Sequence, residues 1–166
     1  RQRQMCIRDR LSNPAGANME LMGVYDEALV EPLARVLANL GVKKAMVVYG
    51  QDGLDEISMS APTTVCEVKD GEFLSYVITP EQFGFTRCSK DELIGGSPQD
   101  NAQIALAILK GEKGPRRDAV VLNSAAAIHI AKGISIEDAI REAQEVIESG
   151  KALAQLEQFA ALTNQE

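Results

Sequence analysis

The fold is decided by the stretch Ala45–Ser58, which reads AMVVYGQDGLDEIS. Its first half is a nearly continuous apolar run of strand length, a composition typical of a parallel strand that is buried on both faces. The run ends in a Gly-x-x-Gly turn, Gly50 to Gly53, and two adjacent carboxylates follow at Asp55 and Glu56. In a sheet with helical crossovers, ligands collect beyond the carboxyl ends of the strands, so this loop is the first candidate for a functional site.

Two interpretations of the acidic pair are open from spacing alone. Adjacent carboxylates in a loop can hold a hard cation such as Mg²⁺, which prefers oxygen ligands. The same residues are also common in a polar turn whose acids face solvent. From the pattern alone, the solvent-facing turn is the preferred interpretation.

The segments around this strand predict a mixed α/β domain. Apolar residues at helical spacing predict a helix from Asp26 to Gly41, interrupted near Pro32. Two β-rich runs flank Asp70-Gly71, a combination typical of a hairpin. Beyond residue 89 the chain reads as helices, which begin at capping residues and end at glycines. The helix from Pro115 to Lys132 is apolar nearly all round, which predicts a central and buried position.

Composition bounds the class of protein. The 166 residues are 45% hydrophobic and carry a net charge of −7, with no basic patch after the first ten residues. That balance argues against a nucleic-acid partner, because phosphate neutralisation dominates such binding. No apolar run approaches the ~20 residues that span a bilayer, so we expect no membrane partner. Three widely spaced cysteines and a single histidine argue against a disulfide framework or zinc site, and favour a cytoplasmic location.

The first ten residues differ from the rest of the chain. Residues 1–10 read RQRQMCIRDR, which is rich in arginine and has no apolar core of a signal peptide. We interpret them as a foreign, disordered segment that resembles translated adapter sequence. The expected domain is therefore residues 11–166, and Arg10 is not interpreted as a substrate-binding arginine.

From Leu11 onward the sequence resembles the anthranilate phosphoribosyltransferase family of tryptophan biosynthesis, in its C-terminal half. The resemblance rests on several motifs in one order: Leu11–Ala15, Gly50–Ile57, Ile78–Gly84, Gly95-Gly96 with Asn101-Ala102, Gly111-Glu112, Arg117–Ala126 and Ser149–Leu153. It implies part of the nucleoside phosphorylase/phosphoribosyltransferase-type α/β domain: a central, mostly parallel sheet with a β-hairpin and C-terminal helices.

The resemblance also implies a function. The family transfers phosphoribosyl from phosphoribosyl pyrophosphate (PRPP) to anthranilate, so Asp55 and Glu56 would bind Mg²⁺ at the pyrophosphate, and the full-length enzyme would be a homodimer. The family's PRPP loop and anthranilate-binding arginine belong to an N-terminal half that is not in this sequence. We therefore expect a fragment that is inactive alone. We predict no catalytic residue, and which residues outside the metal pair contact substrate stays open.

Two other functions stay open. A non-catalytic relative of the same fold could act as a binding or interaction protein, although it would have no need to keep both acids. A pyrimidine-nucleoside phosphorylase shares the fold, but the motifs at Pro80–Gly84 and Asn123–Ala126 favour the anthranilate enzyme.

Four further features have structural interpretations. We expect His129 to be a packed or surface helix residue, Asn123 to make a structural side-chain hydrogen bond, and Cys66 and Cys88 to be inert thiols. Arg116 and Arg117 could form a small anion site, but a solvated pair is the preferred interpretation. Gly95–Pro98 could cradle a phosphate, and we prefer a connection between helices.

Overall fold

The computed structural model describes residues 16–164. The foreign segment predicted at residues 1–10 and the motif Leu11–Ala15 lie outside the described range. Within that range the chain forms four strands and five α-helices: β1 (Met19–Gly23), α1 (Val30–Asn39), β2 (Lys44–Gly50), β3 (Thr63–Lys69), β4 (Glu72–Ile78), α2 (Pro98–Leu109), α3 (Pro115–Lys132), α4 (Ile136–Glu148) and α5 (Lys151–Thr163).

The strands form one sheet in the order β1-β2-β3-β4. β1 and β2 are parallel, with Met19 opposite Lys44 and Gly23 opposite Val48. β3 is antiparallel to both of its neighbours, and it forms the predicted hairpin with β4. The α/β class, the hairpin and the C-terminal helices are thus confirmed.

The described part of the sheet is less parallel than predicted, since only one of its pairings is parallel. The reason is the connection from Gln51 to Pro62, which contains no helix. A parallel return needs a crossover, usually a helix. Without one, β3 runs back beside β2 in the opposite direction.

The apolar run of β2 is explained by burial on both faces. Met46 and Val48 pack in a core cluster with α3 and α4, whereas Ala45 and Val47 pack in a second cluster with α1. All four are at most 1% exposed. A strand covered by helices on both sides has no solvent face on which polar residues would alternate.

The helices follow their predicted boundaries closely. Asp26 caps a short 3₁₀ turn by accepting a hydrogen bond from the Ala28 amide, and α1 follows from Val30, so the interruption predicted near Pro32 lies just before that proline. α3 is central as predicted, and it contacts β1, β2 and α4. β1 is the element that the sequence pattern did not predict.

The segment Thr79–Gly114, here called the outer segment, covers less of the core. It contains α2, of which no residue is fully buried. Within residues 16–164 no single helix is long and apolar enough to cross a membrane; only α3 and α4 together, bent by 116° at their junction, pass on length and composition.

Candidate metal site at the end of β2

The acidic pair lies at the edge of the sheet where β1 and β2 both end. The Gly50 amide donates a hydrogen bond to the Leu54 carbonyl oxygen at 2.9 Å, and the Gly53 amide donates to the Gly50 carbonyl oxygen at 2.8 Å. Gly53 has φ +88°, which a residue with a Cβ rarely adopts. This tight turn returns the chain over the strand end and presents Asp55 and Glu56 there. We call Gln51–Pro62 the acidic loop.

The end of β1 supports the acidic loop from one side. A Cβ added to Gly23 would lie 1.6 Å from the carbonyl oxygen of Asp55, a distance that no packing can accommodate. The backbone of Asp55 therefore rests directly on the last residue of β1. Sequence reasoning missed Gly23 because β1 itself was not predicted, and a lone glycine carries no signal of a close approach.

Asn123 of α3 holds the loop from the other side. Its Oδ1 accepts a hydrogen bond from the Ile57 amide at 2.9 Å, and its Nδ2 donates to the Ile57 carbonyl oxygen at 2.9 Å. Nδ2 also donates to the carbonyl oxygen of Ala119 at 3.0 Å, within the same helix. The predicted structural hydrogen bond is confirmed, and its partner is the residue directly after the acidic pair.

A third carboxylate, Asp52, lies in the same loop. Its Oδ2 accepts hydrogen bonds from the hydroxyls of Ser58, at 2.9 Å, and Ser60. Lys90 of the outer segment donates to the Asp52 carbonyl oxygen at 2.8 Å. Partial burial would raise the pKa of Asp52, but the two serine hydroxyls and the lysine charge hold that pKa below its ordinary value.

One oxygen of Asp52 has no partner. Oδ1 is buried and makes no hydrogen bond in the described structure. Burying a carboxylate oxygen without a hydrogen-bond donor costs free energy. This atom can therefore accept a hydrogen bond from water or coordinate a cation. Sequence reasoning missed Asp52, since nothing in its spacing distinguished it from an ordinary turn residue.

The two predicted ligands are exposed and strongly negative. The side chains of Asp55 and Glu56 both face solvent. Partial desolvation raises the pKa of Glu56, and the negative charges of Asp55 and Asp52 raise it further. Carboxylates that repel one another are stabilised by a bound cation, so the chemistry of these donors fits Mg²⁺.

The protein supplies few ligands for such a cation. Among residues 16–164 no group of three or more His, Cys, Asp or Glu side chains is arranged to hold a metal ion. Mg²⁺ is commonly held by only one or two carboxylates, with waters and substrate phosphates completing its octahedron. The acidic pair matches a shared site of this kind and does not match an all-protein cage.

A cavity of about 550 Å³ opens beside Glu56. Its walls are mostly apolar and come from the acidic loop, from α2 and from α3, with Ile57, Ile104 and Val120 as examples. Arg116 lines the cavity too, and its guanidinium donates to the Ile94 carbonyl oxygen at 2.7 Å. A charged rim over an apolar wall can exclude water from one side of the acidic pair.

The preferred interpretation of the two arginines as a solvated pair is wrong for Arg117. Arg117 is only 5% exposed, and its guanidinium donates to Glu148 of α4 at 2.7 Å. The helix begins at Pro115, and the following turn directs Arg117 inward, against α4. A polar residue on a buried helical face cannot be recognised from the sequence without knowing which helix packs there.

The remaining candidates have structural roles. His129 Nδ1 lies 2.5 Å from the Ile134 carbonyl oxygen and Nε2 lies 3.3 Å from Glu67, which confirms a packed helix residue. Cys66 is buried, and burial raises the pKa of the Cys88 thiol, as expected for an inert group. Ser97 caps α2 through the Asp100 amide, so Gly95–Pro98 is the predicted connection.

Comparisons with known proteins identify the chain's relatives. The model of the glycosyl transferase family, a/b domain, matches residues 8–153. The anthranilate phosphoribosyltransferase of Methanobrevibacter smithii is 61% identical over 155 residues, covering 93% of this chain and 46% of that protein. The chain thus spans less than half the length of the curated relatives it matches.

Solved structures agree with the fold. The anthranilate phosphoribosyltransferase of Thermus thermophilus superposes with a TM-score of 0.76 at 38% identity, over 84% of this chain and 41% of that one. The Saccharomyces cerevisiae enzyme in complex with PRPP and Mg gives a TM-score of 0.78 at 28% identity, over 86% and 42%. The family match covers the whole described sheet and most of the helices packed on it. The chain therefore belongs to the glycosyl transferase family, through its a/b domain.

Proposed function

We propose that this chain is the C-terminal part of an anthranilate phosphoribosyltransferase, which transfers phosphoribosyl from PRPP to anthranilate in tryptophan biosynthesis. The observation that carries the proposal is the 61% identity to a curated enzyme of that name, across 93% of the chain. The position of the acidic pair supports the proposal, because ligands of such sheets collect beyond the carboxyl ends of parallel strands.

Within this proposal, Asp55 and Glu56 hold Mg²⁺. The exposed carboxylates, the like-charge repulsion around Glu56 and the Mg-bound yeast relative all support the assignment. When bound, Mg²⁺ supplies Lewis-acid stabilisation and a template for the pyrophosphate leaving group. The chain's own residues do the rest: Gly23 and Asn123 fix the backbone on which the carboxylates stand, and Asp52 adds negative charge behind them.

The catalytic contribution of such a site is positioning and electrostatics, with no covalent step on the protein. The cavity beside Glu56 lowers the local dielectric on one side of the pair, which strengthens the attraction of the carboxylates for a cation. Anthranilate and PRPP are the substrates of the whole enzyme in this proposal. The whole enzyme is a homodimer and is located in the cytoplasm.

The pair Asp55–Glu56 distinguishes this proposal from its alternatives. A non-catalytic relative has no use for two exposed acids on a rigid loop, and the relatives compared above carry the name of the anthranilate enzyme. No observation on the described residues favours a pyrimidine-nucleoside phosphorylase.

A chimera tests the proposal. Residues 11–166 replace the matching C-terminal part of the Methanobrevibacter smithii enzyme, and consumption of anthranilate with PRPP and Mg²⁺ is followed by fluorescence. We expect turnover by the chimera, none by the 166-residue chain alone, and a loss of at least about 100-fold in kcat/KM when Asp55→Asn and Glu56→Gln are combined. A folded chimera without turnover, beside an active parent, would contradict the assigned function.

The double variant has a matched control. Asp70→Asn and Glu72→Gln alter two other acids, one in the turn after β3 and one at the first residue of β4, away from the acidic loop. Their turnover should equal that of the unmodified chimera. If both double variants lose activity equally, the effect is on net charge and the metal assignment fails.

A further inference from the structure

We propose that Asn123 is a positioning residue for the acidic pair: its side chain fixes the Ile57 peptide and thereby the direction of the Asp55 and Glu56 carboxylates. The inference rests on the metal assignment proposed above and assigns a role to a residue of α3, outside the acidic loop.

The hydrogen bonds carry the argument. The Asn123 amide bonds both polar atoms of Ile57, its N–H and its C=O, at 2.9 Å each. Two bonds to one residue fix its orientation as well as its position. The third bond, to Ala119 at 3.0 Å, fixes the amide against its own helix. The Asn123 side chain therefore uses its amide oxygen and both of its N–H groups in these three hydrogen bonds.

The anchoring helix is rigid. Val121 and Leu122 precede Asn123, and Ala125 and Ala126 follow, all at most 1% exposed. Ile57 is itself 2% exposed and packs in the same core cluster. Asn123 therefore joins α3 to the acidic loop at Ile57, the residue directly after the two exposed acids.

The consequence concerns metal affinity. Two carboxylates bind one cation well only if their oxygens are held near the bound geometry, because ordering them on binding costs free energy. Groups that orient metal ligands from behind typically contribute about 10–100-fold to affinity or activity. Gly23 contacts Asp55, and Asn123 bonds Ile57. Glu56 therefore lies between two residues whose backbone is fixed.

The chain contains a matched control. Asn101 grips Gly96 in the same way: its Oδ1 accepts from the Gly96 amide at 2.8 Å and its Nδ2 donates to the Gly96 carbonyl oxygen at 3.3 Å. This second clamp holds the connection before α2: Asn101 lines the cavity beside Glu56, but both of its hydrogen bonds go to Gly96 and neither goes to the acidic loop. Removing it should cost local order without changing the metal pair.

The test measures Mn²⁺ binding to the 166-residue chain, from the electron paramagnetic resonance signal of free Mn²⁺. We expect about tenfold weaker binding for Asn123→Ala, as for other groups that orient metal ligands, and unchanged binding for Asn101→Ala. Urea unfolding of each variant separates affinity from stability. Amide exchange of Ile57 should accelerate in Asn123→Ala and stay slow in Asn101→Ala.

A second variant keeps the inference falsifiable if Asn123→Ala does not fold. Asn123→Leu keeps the approximate size of the side chain, adds no charge and loses the hydrogen bonds to Ile57 and Ala119. Loss of positioning should therefore weaken Mn²⁺ binding about as much as in Asn123→Ala. Tighter or equal binding by a folded Asn123→Leu or Asn123→Ala overturns the inference.

Failure of the two proposals can be told apart. If the unmodified chain binds Mn²⁺ no better than its Asp55→Asn, Glu56→Gln variant, the metal assignment falls, and the positioning role falls with it. If the unmodified chain binds and the Asn123 variants bind equally well, only the role of Asn123 is overturned.

Discussion

The acidic loop, which contains no helix, and the outer segment, which contains α2, are held in opposite ways. Three consecutive residues of the acidic loop, Ile57, Ser58 and Met59, are at most 2% exposed. In the outer segment, which is three times as long, Pro80 is the one fully buried residue. The acidic loop is part of the core, whereas the outer segment lies on it.

The bonds of the two regions differ accordingly. The acidic loop is fixed by distant parts of the chain, through Gly23 of β1 and Asn123 of α3. Most side-chain hydrogen bonds of the outer segment join neighbours in sequence, such as Ser89 with Glu92 and Asn101 with Gly96, and its bonds to the acidic loop come from Lys90 and Cys88. Local stability follows buried contacts and long-range bonds, so a loop without regular structure can still be rigid enough to carry a site.

Replacing a glycine in each region should give the largest contrast. Gly23→Ala puts a methyl group 1.6 Å from the Asp55 carbonyl oxygen. The acidic loop must move, because the methyl group is fixed to the β1 backbone and the atom that it meets is backbone too. We expect a loss of more than about 3 kcal/mol in the free energy of unfolding, at the upper end of overpacking effects, together with loss of metal binding. Urea denaturation and Mn²⁺ titration measure the two effects.

Gly84→Ala is the control in the outer segment. Gly84 has φ +79° with open space around it, so the substitution costs only backbone strain, about 1 kcal/mol. Equal losses in the free energy of unfolding for Gly23→Ala and Gly84→Ala would show that the contact between Gly23 and Asp55 is not tight.

A pair of isoleucines should give the next largest difference. Ile57 is 2% exposed and Ile94 is 59% exposed. We expect Ile57→Ala to lower the free energy of unfolding by about 3 kcal/mol, through lost burial and a cavity. Ile94→Ala should change it by no more than about 0.5 kcal/mol, as for most surface substitutions. Comparable losses, measured by urea unfolding at one pH, would mean that a partner or the outer segment itself buries Ile94.

The contrast also explains what could be predicted from the sequence. Local signals were sufficient in the outer segment and the helices: Ser89, Ser97 and Ser135 each begin a helical turn as their spacing indicates. The strand β2 was recognisable because burial on both faces leaves an uninterrupted apolar run. These features depend on residues close together in sequence.

The supports of the site were not predictable in this way. Gly23 and Asn123 act through contacts across the fold, and the bond from Asn123 to Ile57 spans 66 positions. β1 has only five residues and begins with an exposed Met19, so its pattern is too short to distinguish from a loop. Arg117 was misplaced because its partner, Glu148, lies on another helix. The acidic pair itself was found by its spacing and by resemblance, not by the contacts that hold it.

The smallest expected effect is electrostatic and belongs to the outer segment. Hydrogen bonds from Arg87 to both carboxylate oxygens of Glu81, at 2.8 and 3.2 Å, lower the pKa of Glu81 to about 2. A depressed pKa stabilises the folded state above the ordinary value of 4.5, and that contribution is lost as the pH falls below 4.5 and through about 2. Glu81→Gln should therefore lower stability slightly at neutral pH and not at all well below about pH 2. Because both side chains are exposed, salt should screen most of the difference, whereas the loss in Ile57→Ala should be insensitive to salt. Unfolding curves of Glu81→Gln and of the unmodified chain across this pH range, at low and high salt, measure the difference in the free energy of unfolding.

A difference in stability that persists at high salt would contradict this expectation. It would mean that the ion pair is shielded from solvent and that the outer segment is packed more like the acidic loop.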